Sequence, residues 1–197
     1  MKRLILTLII LALAAPGYAL TGISIGVKGG MVSNYEQPGF AVPGEDTDAM
    51  NLAGLQLKFT KLPMIDLIVS GEYAWKKETY SGFGQSFELT RSDLQFSASA
   101  IYPFSLPVVT PYLGAGVATH SLGYDYVEPV GWALDTYDIE VPGNETRMGY
   151  HLMGGFDVGL PAFPLTLNAE YRLNWVSTPD EVTKYNSITA GLSFSLP

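Results

Sequence analysis

The sequence predicts an all-β fold: an eight-stranded antiparallel up-and-down transmembrane β-barrel that follows a cleaved signal peptide. Three observations predict it. Apolar residues recur with period two along eight separate segments. The alternate face of those segments is polar and carries charges of both signs. Aromatic residues gather at both ends of the segments, with aliphatic residues between them.

The chain opens MKRLILTLIILALAAPGYAL. Lys2 and Arg3 form a basic head, and Leu4 to Ala15 form an apolar stretch too short to span a bilayer as a helix. Pro16 and Gly17 break it, and Gly17-Tyr18-Ala19 is a small-x-small cleavage site. Residues 1–19 therefore read as a signal peptide, and residues 20–197 as one domain. Losing Lys2 and Arg3 takes the formal charge from −8 to −10. No basic cluster remains, which argues against nucleic acid as a partner. There is no cysteine, so disulfides and thiolate metal sites are excluded.

The strands follow in order. Ile23, Ile25 and Val27 alternate with Ser24, Gly26 and Lys28. Leu55, Leu57 and Phe59 alternate with Gln56 and Lys58. Leu67 to Trp75 alternate with Asp66, Ile68, Ser70, Glu72, Ala74 and Lys76. Leu94 to Tyr102 alternate with Asp93, Gln95, Ser97 and Ser99. Leu113, Ala115 and Val117 alternate with Gly114, Gly116 and Ala118. Tyr150 to Val158 alternate with His151, Met153, Gly155 and Asp157. Leu165 to Trp175 alternate with Thr166, Asn168, Glu170, Arg172 and Asn174. Ile188 to Leu196 alternate with Ser187, Thr189, Gly191, Ser193 and Ser195. Short proline-bearing links (KLPM, PFSLP, GLPAFP) alternate with longer polar ones near 33–49, 77–86, 123–145 and 176–185. Such a meander places both termini at the short-turn end.

A soluble barrel would put its apolar face inside. Here the polar face carries nearly all the strand charges, so the faces are inverted: apolar outward, polar inward. Alternation assigns inward Lys28, Lys58, Lys76, Arg91 and Arg172 against Asp66, Glu72, Asp93, Asp157 and Glu170. This balance is what a narrow lumen requires, because an unpaired buried charge costs several kcal/mol. Arg91, Asp93, Glu170 and Arg172 are expected to join in one network across the lumen, with Gly114 and Gly116 leaving room for the arginines. Phe59, Tyr102, Phe156 and Phe194 fall near the short-turn ends, and Tyr73, Trp75, Tyr150 and Trp175 near the long-loop ends. Two such belts are an interfacial aromatic girdle.

"PYLGAGVATH" (111–120) after a short proline turn, within eight alternating strands behind a signal peptide, resembles the OmpA/OmpX-type outer-membrane β-barrel family. The C-terminal "GLSFSLP", with Gly191, Phe194 and Leu196, is similar to the signal read by the barrel-assembly machinery, but ends on Pro197 rather than an aromatic. The resemblance implies a cell outer membrane location, periplasmic termini, and outer-membrane lipid, lipopolysaccharide and the assembly machinery as partners. It carries no activity, because the family shares a scaffold and varies its loops.

No catalytic, cofactor or metal site is expected. His120 and Ser121 alternate to opposite faces, so they cannot act as a base–nucleophile pair. His120 and His151 both point inward on neighbouring strands and are expected as satisfied interior imidazoles, with a two-histidine metal site as the alternative. The loops are acidic, with Glu45, Asp46, Asp48, Asp125, Glu128, Asp135, Asp138, Glu140, Asp180 and Glu181. They read as solvated charge, although divalent cations also take such oxygens. The expected role is a structural or surface-interaction barrel, and the alternatives are a lipid A-modifying enzyme or a small passive pore.

Overall fold

A computed structural model of the chain describes residues 22–36, 49–60, 62–82, 85–127, 144–160, 163–177 and 182–196. The signal-peptide reading of residues 1–19 lies outside them. So do all the acidic loop residues named above except Asp125, which is on a strand.

All regular structure among the described residues is strand. β1 (Ile23–Glu36), β2 (Met50–Phe59), β3 (Asp66–Gly82), β4 (Gln85–Pro103), β5 (Val109–Val127), β6 (Glu145–Gly159), β7 (Leu165–Ser177) and β8 (Val182–Ser195) run in the eight segments that alternation picks out. Each pairs antiparallel with the next, and β1 closes on β8. Ser24 pairs with Ser195, so the two described ends of the chain meet at the short-turn end. From Lys28, the pairing leads through Gly54, Glu72 and Gln95 to His120 on β5. In the other direction it leads through Gly191, Asn168 and Asp157 to Thr110. The stagger on closure is ten residues (120 − 110), so the strands tilt by roughly 35–45°. Between β1 and β8 the register shifts at Ser33 to Glu36, and Asn34 there has φ 54°, a left-handed conformation that asparagine tolerates.

The faces are inverted as alternation requires. Leu55, Val27, Leu113, Val117, Leu152 and Ile188 point outward and are exposed, while Lys28, Glu72, Glu170 and Arg172 are buried inside. On the ladder, Phe59 pairs with Ile23 near the short-turn end and Trp75 with Asn51 near the other end, the ends of the lower and upper aromatic rows. The upper one includes two stacked pairs, Tyr73–Trp75 at 5.7 Å and Tyr150–Trp175 at 5.3 Å between ring centroids.

The strand ends differ from expectation. The segment 77–86 is not a long loop: β3 and β4 pair from Asp66–Ile101 out to Gly82–Gln85. β5 runs on to Val127 and pairs with β4 as far as Glu88. β1 runs to Glu36, β7 to Ser177, and β8 starts at Val182, so the 33–49 connection begins later, and the 176–185 connection begins later and ends sooner. The reason is cooperative pairing: once a ladder is in register, each added residue gains hydrogen bonds, even where a polar composition reads as loop. The result is a three-stranded sheet that continues past the barrel. β2 stops pairing at Asn51–Trp75 and β6 at Glu145–Leu122, so beyond those points β3, β4 and β5 pair only with one another among the described residues.

Candidate functional site: the barrel interior

The inward side chains fall into tiers whose order follows from the register. At the short-turn end, Lys58 is ion-paired with Asp157 and lies 3.7 Å from Asp66. Its ammonium sits 5.1 Å from the centre of the Tyr112 ring. A cavity of about 210 Å³ opens here, lined by Ser24, Gln56, Thr166 and Ser193 beside Lys58 and Asp157.

Next comes an apolar tier of Ile68, Ile101, Tyr112 and Met153, all buried. Above it lies the central cluster. Lys28 Nζ is 2.6 Å from Glu72 Oε1 and 3.7 Å from Glu170 Oε1. Arg172 donates to both carboxylates, from Nη1 to Glu72 at 3.1 Å and from Nη2 to Glu170 at 2.6 Å. Ser70 donates to Glu72 at 2.7 Å, and the Tyr112 hydroxyl to Glu170 at 3.3 Å. Two cations and two anions, each at most 5 % exposed, thus form a neutral unit spanning β1, β3 and β7. The charge-assisted bonds replace the hydration that a packed lumen removes.

His151 lies beside this cluster, its Nε2 2.8 Å from Ser99 Oγ. Higher up, Val32, Met50, Leu52, Ala74, Val176 and Tyr185 form a second buried apolar group on β1, β2, β3, β7 and β8. The β4–β5 half of that level is polar. His120 Nδ1 donates to Asp93 Oδ2 at 2.8 Å, and the Tyr185 hydroxyl crosses the lumen to Gln95 at 3.3 Å. The His120 and Tyr185 rings meet edge-on at 6.2 Å. Arg91 is half-buried and pairs in register with Lys76, level with the base of the projecting sheet.

Two expectations are corrected here. Glu170 and Arg172 are bonded to each other, but Asp93 is bonded to His120, and Glu72 and Lys28 complete the central cluster. Strand stagger sets these heights, and it places Asp93 well above Glu170. The space at Gly114 and Gly116 is taken by immediate neighbours rather than by arginines. A Cβ on Gly116 would lie 2.5 Å from His151 Nε2, and one on Gly114 2.6 Å from an Ile101 methyl. Gly54 makes room for Glu72 and Gly155 for Tyr112 in the same way. Inward glycines beside Glu72, Tyr112, His120 and His151 are how so narrow a lumen holds groups of this size.

The apolar tiers were missed by a rule that expects only polar residues inside. Their signal was present, since Ile68 and Met153 fall on the inward phase of their strands. His120 is buried and Ser121 is exposed on the outer face, so the two do not meet. Among the described residues, no three His, Cys, Asp or Glu side chains come together as a metal-binding group. The interior can hold fixed, mutually neutral charges, and its one described serine–imidazole contact, Ser99 with His151, is buried beside the central cluster rather than open to a substrate.

A closed barrel with an aliphatic outer band, two aromatic rows and a polar, packed lumen is a transmembrane β-barrel. The chain belongs to the outer membrane protein beta-barrel domain family, whose model matches residues 4–195. Its place is therefore the outer membrane. Comparison with curated proteins finds no match. Among solved structures it is similar to Neisserial surface protein A, with 17% identity over 91% of this chain and 100% of that one, and a TM-score of 0.59. It is also similar to a major outer membrane protein of Thermus thermophilus, with 12% identity, 87% and 97% coverage, and a TM-score of 0.52. A third is Ail, the attachment invasion locus protein of Yersinia pestis, in complex with the heparin analogue sucrose octasulfate. Identity there is 14%, coverage 87% and 95%, and the TM-score 0.50. At these identities the likeness is one of fold.

Proposed function

We propose that this protein is a non-enzymatic surface-interaction barrel: a sealed anchor in the outer membrane that carries a protruding β-sheet. The observation behind this reading is strand length. A tilted strand crosses the hydrocarbon in about 9–11 residues, whereas β3, β4 and β5 have 17, 19 and 19. β3 continues seven residues past Trp75 in the upper aromatic row, which at 3.3 Å per residue is about 23 Å along the strand. Among the described residues, β3 past Trp75 and β5 past Leu122 have no strand paired on their outer sides, and the backbone N–H and C=O groups there are ones an extended partner segment can pair with.

Both termini then face the periplasm and the sheet faces outward. β8 reaches the assembly machinery from the periplasmic side, and lipopolysaccharide surrounds the upper aromatic row. The charges of the sheet itself balance, Lys76, Lys77 and Arg91 against Glu78, Glu88 and Asp125, but the connections 37–48, 128–143 and 178–181 carry nine carboxylates and no Lys or Arg, so the partner at that end is basic. The Ail structure holds a polyanion analogue, but a formal charge of −8 opposes that chemistry here. Among the described residues, the lipid A-modifying reading lacks a base–nucleophile pair facing lipid, since both histidines are buried inside.

The test replaces residues 79–88 by Asn-Gly, which closes β3 and β4 on the Glu78–Leu89 pair in the native register and keeps the barrel strands. Cells displaying either form are scored for adhesion to immobilised basic and heparin-like surfaces. The reading expects adhesion to the basic surface and its loss in the shortened form. Equal adhesion by both forms, or preference for the polyanion, contradicts it.

A further inference from the structure

The lipid-facing wall is not uniform. Between β5 and β8 it holds an open apolar notch of about 550 Å³. Its floor is the backbone at Gly154 and Gly155 with Ala169. Its walls are Leu113, Phe156, Tyr171 and Ile188, and Phe104 closes its lower end. Two ladder rows explain the hollow. Leu113, Gly154, Tyr171 and Ile188 are successive partners across four strands, so a residue without a side chain stands between large ones. In the next row outward Phe156 is followed by Ala169 and then Ala190. The four wall residues all stand clear of the barrel surface. One methyl of Leu113 lies 3.1 Å from the place of a Cβ on Gly154, so Leu113 leans over one side of the floor, and the remaining floor at Gly155 and Ala169 lines the open notch.

We infer that this notch holds one acyl chain of a bilayer phospholipid. The depth selects the occupant. On β6 the notch lies between Tyr150 of the upper aromatic row and Phe156 of the lower one, within the hydrocarbon. At that depth the alternatives are an acyl chain and another protein's apolar wall. The notch is a narrow trench between upright side chains, which a flexible chain follows and a second barrel wall does not. It runs from mid-height toward the short-turn end, so with the termini in the periplasm the chain enters from the inner leaflet. That direction rests on the proposed orientation, but occupancy does not.

Full-length protein is reconstituted in phospholipid nanodiscs containing a phosphatidylcholine with a mid-chain diazirine. After photolysis, adducts are mapped by peptide mass spectrometry. Adducts should be several-fold denser on the outward residues of 111–115, 152–156 and 169–173 than on those of β2 to β4. Ala169→Phe, which fills the trench, should remove that excess, and Ala98→Phe on the opposite wall should leave it. Heat-modifiable gel mobility reports that each variant is folded, and Gly154→Val serves where Ala169→Phe is not. Labelling spread evenly around the barrel overturns the inference. So does a wall left free of adducts because a second copy covers it, read as a dimer joined through these strands by a separate bifunctional cross-linker. Because a nanodisc offers both leaflets, neither result depends on orientation, which proteolysis of the projecting sheet on intact cells reports separately.

Discussion

Replacing Glu72 by Gln tests the central cluster most sharply. Glu72 is 2 % exposed and takes an ion pair from Lys28 at 2.6 Å, an Arg172 donor at 3.1 Å and the Ser70 hydroxyl at 2.7 Å. The amide keeps the shape and loses the charge. Two buried cations then share Glu170 alone, and a net positive charge is left where water does not reach. Breaking a buried pair in this way costs about 3–5 kcal/mol. Lys28→Met leaves the opposite excess, at a similar cost of about 3–5 kcal/mol. The double variant leaves Arg172 paired with Glu170 and restores neutrality, so it should be more stable than either single variant. The assay is urea unfolding of the refolded barrel in lipid, followed by tryptophan fluorescence and by gel mobility. If the double variant loses the sum of the two single losses, the charges act independently and the coupled-cluster account is wrong.

Four further outcomes follow from the same geometry. Leu55→Arg, outward on β2 about midway between the aromatic rows, should destabilise by about 2–4 kcal/mol in lipid, and Val182→Arg at the outer end of β8 by about 0–1 kcal/mol. Equal losses would mean that the band does not face hydrocarbon. Gly116→Leu pushes into His151 and should cost about 1–3 kcal/mol by overpacking. Gly159→Ala, with nothing within 4 Å of its Cβ position, should be neutral, and matching losses at the two sites would remove the space argument. Wild-type protein should fractionate with the outer membrane and run as a faster band in SDS until boiled. Recovery as a soluble periplasmic protein would refute the membrane account. Asp93→Asn should weaken the His120 contact without affecting the Glu72/Lys28 coupling, because the two groups are bonded to different partners at different heights. A change in that coupling would mean a single continuous network.

Period-two alternation made the barrel legible. Ile25 and Val27 against Lys28, or Tyr171 and Leu173 against Arg172, assign both faces without any knowledge of register. What alternation does not fix is height. Asp93 and Arg172 share the inward face, yet the ten-residue stagger sets them at different levels, so Asp93 meets His120. Stagger is a property of closure and leaves no mark on a single strand. Strand ends were illegible for another reason: Lys77 opens the polar 77–86 stretch that reads as a loop, but across the β3–β4 ladder it forms an ion pair with Glu88 at 2.8 Å. The apolar tiers were hidden by the pattern rule itself, which counts Ile68 and Met153 as exceptions on a polar face. In the folded barrel they separate the Lys58 tier from the central cluster.

The most direct test of the central claim, that packed apolar and ion-paired tiers seal the lumen, is the conductance of the full-length barrel in planar phospholipid bilayers. The account expects no steady current through the wild type, and current to appear when the tiers are opened by Ile101→Ala with Met153→Ala and Leu52→Ala. A steady ohmic conductance in the wild-type barrel would contradict the sealed interior and make the protein a pore.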